Sequence, residues 1–263
     1  MKKDVWAAGD LYEPYVGRWS RVVARDFLSW LAVPRDREWL DVGCGTGALS
    51  QLILAQCEPR RVRGIDSSPG FVDYARGHCN DPRVSFDVGD AQSLQVPDGS
   101  FDAAVSGLVL NFVPQPERAA AEMRRAVRAG GIVAAYVWDY AGKMELMRYF
   151  WDAAVELNPA AKSADEGVRF PLCRPENLEK LFVEARLHRV QVRAIDAPTV
   201  FRDFEDYWTP FLGGQAPAPG YCMSLSEDAR AALRERIRAR LPIGADGSIA
   251  LIARAWAVKG TAG

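Results

Sequence analysis

Trp39-Leu-Asp-Val-Gly-Cys-Gly-Thr-Gly-Ala-Leu-Ser50 reads as a buried strand that ends in a glycine turn and passes straight into a helix. Glu38–Val42 supplies the strand, with Leu40 and Val42 as its apolar residues. Gly43, Gly45 and Gly47 remove every Cβ from one side of the turn. Ala48–Cys57 then carries a helical pattern, with Leu49, Leu52, Ile53 and Cys57 on one face. Bare backbone at a helix N-terminus lets an anionic or polar ligand approach the free N–H groups. The stretch predicts a nucleotide-type pocket, and the neighbouring sequence has to say which nucleotide.

Working outward, strand and helix signals alternate from residue 36 to 139. Strands are expected at Glu38–Val42, Val62–Asp66, Val84–Val88, Phe101–Leu110 and Gly131–Trp138. Helices are expected at Ala48–Cys57, Pro69–His78 and Pro116–Ala129, the last stopping at Gly130-Gly131. Apolar strands alternating with helices indicate an α/β fold, a parallel sheet covered on both faces. Ligands of such sheets sit at the C-terminal strand ends.

The flanks are looser. Leu11–Leu31 is an amphipathic, aromatic-rich helical segment. Helices are expected at Lys143–Leu157, Arg174–Ala185, Phe204–Leu212 and Ser226–Leu241, with loops at Asn158–Pro171 and Gly213–Gly220. Strands are expected at Arg189–Phe201 and Ser248–Lys259, followed by a short frayed tail. The organisation is read as one domain over 1–263. Residues 1–35 form an N-terminal helical cap and 36–139 the cofactor-binding core. Residues 140–173 and 201–246 are insertions expected to fold over the pocket, and 189–201 and 248–259 are closing strands.

Size and charge bound the function. The 263 residues carry 33 Lys+Arg against 34 Asp+Glu, a net charge of −1, so no global field draws the chain to nucleic acid or an anionic membrane. The N-terminus has no signal-peptide core, and the longest apolar run, Ile132–Trp138, is far too short to span a bilayer. Cys44, Cys57, Cys79, Cys173 and Cys222 are scattered, and His78 and His188 are the only histidines. The expectation is a cytoplasmic protein with reduced thiols and no metal, whose oligomeric state, monomer or homodimer, is left open.

Gly43-x-Gly45-x-x-Ala48 satisfies the loose dinucleotide fingerprint, which alone is weak. Asp41 lies two residues before Gly43, under the turn. A carboxylate there gives a pyrophosphate nothing but gives a ligand ammonium a partner, directly or through water. Asp66 ends the second strand, 23 residues after Gly43, where an acid accepts both ribose hydroxyls. Asp90 ends the third strand in Gly89-Asp90-Ala91, where it can take an adenine amino group with the ring against Ala91. Three acids at or near the ends of three successive strands point into one crevice.

With these residues the chain resembles the class I S-adenosylmethionine-dependent methyltransferases. Leu40-Asp-Val-Gly-Cys-Gly-Thr-Gly47 is similar to the family's first motif, Gly64-Ile-Asp66 to its second-strand acid and Gly89-Asp90-Ala91 to its adenine clamp. Phe101–Phe112 resembles the fourth strand and its loop, and Ala129–Ala134 the turn into the fifth. Tyr12-x-x-Tyr15-x-Gly17-Arg18-Trp19-Ser20-Arg21 is similar to the cap of the small-molecule, ubiquinone- and menaquinone-biosynthesis-like branch, methyltransferase type 11. The resemblance implies a Rossmann-like, mostly parallel seven-stranded sheet with an antiparallel last strand and helical lid insertions. It implies S-adenosyl-L-methionine as cofactor and a small-molecule methyl acceptor as partner. Arg18 would pair with the cofactor carboxylate. The backbone of Gly43, Cys44 and Gly45 would hold the methionyl part beside Asp41. Asp66 and Ser67 would line the ribose, and Asp90 and Ala91 the adenine. Ser106, Gly107 and Leu108 would run along the sulfonium, with Phe112 near the site.

Each assignment has a plainer counterpart. Asp41 can cap the glycine loop, Asp66 and Asp90 can simply end strands, and Arg18, Tyr12, Tyr15 and Trp19 can be ordinary helix residues. Arg230, Arg234, Arg236, Arg238 and Arg240 read as a solvated face flanking an apolar stripe rather than an RNA-facing row. The aromatic run Phe201–Phe211 reads as part of a substrate lid, with core packing as its plainer counterpart. Tyr140, Tyr207 and Tyr221 are candidate proton acceptors or acceptor-binding groups, which the sequence does not rank, and no residue declares itself a general base. Asn111 stands where amino-group methylases acting on bases and amides carry a longer Asn/Asp-Pro-Pro-aromatic signature, which disfavours amino-group methylation of nucleic acids. A non-catalytic S-adenosylmethionine-binding module and an NAD(P)-dependent oxidoreductase stand as alternatives.

Overall fold

The computed structural model describes residues 18–213 and 216–263, the side chain of Arg18 excepted. The readings on Tyr12, Tyr15, Gly17 and the Arg18 guanidinium lie outside the described residues. In chain order the elements are α1 Arg18–Leu31, β1 Glu38–Val42, α2 Ala48–Gln56, β2 Arg61–Asp66, α3 Pro69–His78, β3 Val84–Val88, β4 Phe101–Gly107, α4 Pro116–Ala126 and β5 Val127–Trp138. There follow α5 Glu145–Leu157, α6 Glu166–Arg169, α7 Pro175–Glu184, β6 His188–Phe201, α8 Phe204–Trp208, α9 Pro217–Ser224, α10 Glu227–Arg238 and β7 Ile249–Thr261.

The seven strands form one sheet in the order β3-β2-β1-β4-β5-β7-β6. β1 pairs in parallel with β2 and β4, β2 with β3, and β4 with β5. The Gly130 amide donates to Ala262 O at 2.8 Å and the Asp139 amide to Arg254 O at 2.9 Å, so β7 runs against β5. The sheet is thus mostly parallel with an antiparallel last strand, as the α/β reading expects.

The chain divides into two compact units, one holding Arg21–Val137, Leu172–Ile195 and Ala255–Gly263, the other, among the described residues, 18–20, Trp138–Pro171 and Asp196–Arg254. In the first, the period-2 alternation of β1 decides which layer covers which face. Leu40 and Val42 point to a core built with Ala104, Val133 and Ala135 of the sheet, Ala119, Ala120 and Met123 of α4, and Leu178, Leu181 and Phe182 of α7. Asp41 points to the other face, where the Ser50 hydroxyl of α2 donates to it at 2.7 Å. On that face α1 lays Phe27 against Tyr136 of β5, centroids 4.7 Å apart.

In the second unit, Phe150 and Trp151 of α5 pack with Phe211, Tyr207 and Tyr221. Phe211 stacks on Phe150 at 4.5 Å, and the buried Tyr207 hydroxyl donates to Leu146 O at 2.8 Å. The aromatic run, expected as part of a lid, is core instead: Phe201, Phe204, Tyr207, Trp208 and Phe211 are all buried. Of the arginine row of α10, Arg236, Arg238 and Arg240 are exposed, as a solvated face flanking the buried Leu233 and Ile237 expects, while Arg230 and Arg234 are half-buried. Arg236 pairs with Glu156 at 2.8 Å, Arg230 caps Cys222 O and Leu225 O, Arg234 pairs with Glu205, and Arg238 lies 4.6 Å over the Phe204 ring.

Several boundaries depart from the sequence reading. α4 stops at Ala126, and the chain enters β5 at Val127 instead of running on to Ala129. The β-branched Val127 takes Phe101 as its partner, and Gly130, at φ +80°, gives its amide to Ala262. Sheet hydrogen bonds with the C-terminal residues outweigh local helix propensity there. The same bonds order the tail that reads as frayed. β4 ends at Gly107, because Leu108 turns into the left-handed region at φ +63° and Leu110–Phe112 forms a 3-10 turn. The expected loop at Gly213–Gly220 contains the start of α9, with Pro217 in its first turn, where a proline's missing N–H is harmless. β3 ends at Val88, so Asp90 lies two residues past the strand, in a turn closed by Ser93 N donating to Asp90 O at 3.0 Å.

Candidate cofactor site

The site is built where β1, β2 and β4 end in the first unit. After Val42 the chain turns through Gly43 at φ +75°, Gly45 at φ +52° and Gly47 at φ +85°, conformations that favour glycine. The Gly43 and Cys44 amides both donate to Ile65 O, at 2.7 and 3.1 Å, pinning the turn to β2. A Cβ on Gly43 would stand 2.5 Å from Val109 Cγ1, whereas one on Gly45 would meet nothing within 4 Å. One glycine is therefore needed for packing. The other leaves bare backbone beside open space.

Asp66 closes β2 and holds the turn from the other side. Its Oδ2 accepts Gly45 N and its Oδ1 accepts Ser68 N, both at 2.9 Å. A carboxylate offers about four acceptor sites, so roughly two stay available for hydroxyl donors. Ser67 is exposed at the mouth of α3, and Ser68, which the sequence reading passed over, caps that helix by accepting Phe71 N.

Asp41 is the most unusual group. It is 1 % exposed, and Ser50 satisfies only Oδ2; Oδ1 is buried with no protein partner. Burial pushes its carboxyl up to about 7, the Ser50 bond opposing and the charge of Asp66 adding to the rise. A buried acceptor without a donor is costly unless a ligand completes it. An orphaned carboxyl oxygen under a bare glycine loop fits a ligand carrying an ammonium group, whose charge would favour the ionised form.

The other expected residues divide. Cys44 turns its side chain into a satellite core with Val72, Ala75 and Phe86, where burial raises its thiol pKa. Only its backbone lines the turn. Asp90 is exposed, and its carboxylate is engaged by the amide and carboxamide of Gln92. Ser106 is fully buried with an unpartnered Oγ, and Gly107 yields its Cβ space to Tyr136, whose hydroxyl would lie 2.7 Å from such an atom. The Leu108 amide is committed to Tyr136 O at 2.8 Å. Among residues that the sequence reading missed, Ser50, Val109 and Gln92 shape the site most. Ser50 was legible as the one hydroxyl on the buried face of α2; the other two act through contacts distant in sequence. Tyr207 is withdrawn from proton transfer, because burial raises it well above 10 and its hydroxyl is spent on Leu146.

A mostly parallel sheet with a glycine cradle at its strand ends defines an α/β nucleotide-binding protein. A family model described as a methyltransferase domain matches residues 40–135. An uncharacterised methyltransferase of Schizosaccharomyces pombe is 25% identical over 214 residues, which cover 79% of this chain and 80% of that protein. A 2-methyl-6-phytyl-1,4-hydroquinone methyltransferase of Synechocystis is 37% identical over 118 residues, 44% of this chain and 36% of that one. A solved structure of Haemonchus contortus phosphoethanolamine N-methyltransferase 2 in complex with S-adenosyl-L-methionine superposes with a TM-score of 0.61 at 16% identity, over 97% of this chain and 56% of that one. Against three of its curated relatives the chain spans only 27%, 33% and 36% of their length. The match over residues 40–135, the similar proteins and the structural neighbours together support a class I S-adenosylmethionine-dependent methyltransferase with S-adenosylmethionine as cofactor.

Proposed function

We propose that the chain transfers a methyl group from S-adenosylmethionine to a small-molecule acceptor by in-line displacement. The observation that carries this reading is the buried, unpartnered Oδ1 of Asp41 beneath the glycine turn. It supports an aminoacyl-bearing nucleotide over NAD(P), whose pyrophosphate would meet a carboxylate there. In this reading Asp41 accepts the methionyl ammonium and the Gly43–Gly45 backbone lines the methionyl chain. Asp66 and Ser67 take the ribose, and Asp90 and Ala91 the base. Ser106, Gly107 and Leu108 border the sulfonium, and Arg18 pairs with the carboxylate.

The bound cofactor supplies a methyl group already activated by the positive sulfur. The chain's own work is therefore to align acceptor with donor and exclude water, with no general base required unless the acceptor must first lose a proton. The net charge of −1 and the pairing of α10 arginines with the acids Glu205 and Glu156 favour a small acceptor over RNA. One relative is named for a hydroquinone methylation, which agrees with a small organic acceptor of the quinone-biosynthesis-like branch. Among the described residues no helix is long and apolar enough to cross a membrane.

The test is a transfer assay with methyl-labelled donor on fractionated cell extract. Label entering the small-molecule fraction is expected. Label confined to protein or RNA, or no transfer to any fraction, rejects the proposal.

A further inference from the structure

We propose that Gln92 is the positioning residue of the base-binding end of the site: one end of its carboxamide orients the Asp90 carboxylate, and the other ties it to the start of α4. The inference rests on reading Asp90 as the acid that receives the adenine amino group.

The turn after β3 leaves Asp90 exposed, so packing alone does not fix its side chain. Gln92 does. Its backbone amide donates to Asp90 Oδ1 at 2.8 Å, and its Nε2 reaches Oδ1 at 3.1 Å and Oδ2 at 3.2 Å. Oδ1 thus carries two donors and Oδ2 one, so Oδ2 has the larger free acceptor capacity. The 6-amino group of an adenine is directed to Oδ2.

At the other end Gln92 Oε1 accepts the Gln115 amide at 3.0 Å. Gln115 directly precedes α4 and has no side-chain cap bond of its own. It also closes the segment 108–115, which begins at the left-handed Leu108 and carries Val109 against Gly43. One carboxamide therefore spans the acid that reads the base and the loop that packs on the glycine turn. A carboxamide is the side chain that can donate to a carboxylate with one end while accepting an amide with the other.

Two substitutions separate the two ends. Gln92→Glu keeps an acceptor for Gln115 N, loses the donor and sets a second carboxylate beside Asp90. Gln92→Ala removes both ends. The readout is the affinity of S-adenosylhomocysteine relative to S-inosylhomocysteine, whose base carries a 6-oxo group in place of the amine, by titration calorimetry on the full chain. Hydrogen exchange of residues 108–116 is measured alongside. The ratio is internal to each variant, so a general loss of stability does not move it. The wild type is expected to favour the adenine ligand by roughly tenfold or more, the worth of one hydrogen bond to a charged group. Both variants are expected to lose most of that preference, and only Gln92→Ala to speed exchange in 108–116. A wild-type preference retained in both variants, or exchange unchanged in Gln92→Ala, overturns the role of Gln92. If the wild type binds neither ligand, the adenosine site itself is rejected, a different failure from unchanged ratios in variants that bind.

Discussion

Replacing Asp41 by Asn tests the electrostatics of the cradle in two directions at once. The carboxyl moves from 3.8 to about 7 on folding, chiefly through burial. About three pH units at 1.36 kcal/mol each gives at most about 4 kcal/mol. The sign follows from the direction of the shift. Below about pH 4 both folded and unfolded chains hold the proton, and no penalty exists. Between about 4 and 7 the unfolded chain ionises while the folded one keeps its proton, so stability falls as pH rises, and above about 7 the full penalty stands. Asn is neutral and can still accept the Ser50 hydroxyl. Asp41→Asn is therefore expected to raise Tm at pH 8, by roughly 2–4 °C per kcal/mol recovered, with the gain fading toward pH 4. The ligand ammonium meanwhile loses its charged partner, and S-adenosylhomocysteine binding should weaken by roughly ten- to a hundredfold. In the wild type the same affinity should improve by up to about tenfold from pH 6 to pH 8 as Asp41 ionises. Thermal melts across pH, with calorimetry in parallel, measure all three. An Asn variant that is no more stable at pH 8 and binds the ligand as tightly would show Asp41 to be only a loop cap.

Other substitutions follow from the turn and its supports. Gly43→Ala meets Val109 at 2.5 Å with φ at +75° and should lose about 2–4 kcal/mol in denaturant titration. Adding Val109→Ala should recover more than about 1 kcal/mol of it through the removed clash. Gly45→Ala faces open space, so its stability loss should stay near the roughly 1–2 kcal/mol of left-handed strain while ligand affinity falls much further. Arg125→Lys gives up the bonds that Arg125 makes to Leu94 O and Val96 O and its pairing with Glu122, and should lower unfolding free energy by roughly 2–3 kcal/mol.

The cofactor core was legible because its signals are local. A strand, a glycine turn and a helix follow one another in Glu38–Gln56, and Asp66 stands at the end of the next apolar strand. Parallel order then followed from strand–helix alternation. What escaped depends on residues far apart in sequence. Val127–Gly130 is strand because Phe101 and Ala262 offer it hydrogen bonds, though Gly130-Gly131 reads locally as a helix stop. Val109 makes Gly43 obligatory through a contact that no spacing rule encodes. Gln92 bridges Asp90 to Gln115 across 23 residues, and a lone glutamine in a polar turn gives no hint of it. The aromatic run at Phe201–Phe211 was ambiguous for the opposite reason, since a core stripe and a ligand-facing stripe have the same composition.

The measurement closest to the heart of this reading is titration of the chain with S-adenosylhomocysteine and with NAD, repeated on Asp66→Ala. One S-adenosylhomocysteine per chain, no heat with NAD and loss of binding in Asp66→Ala are expected. Binding of NAD without S-adenosylhomocysteine, or full affinity retained in Asp66→Ala, would show that the glycine turn and its acids serve another ligand.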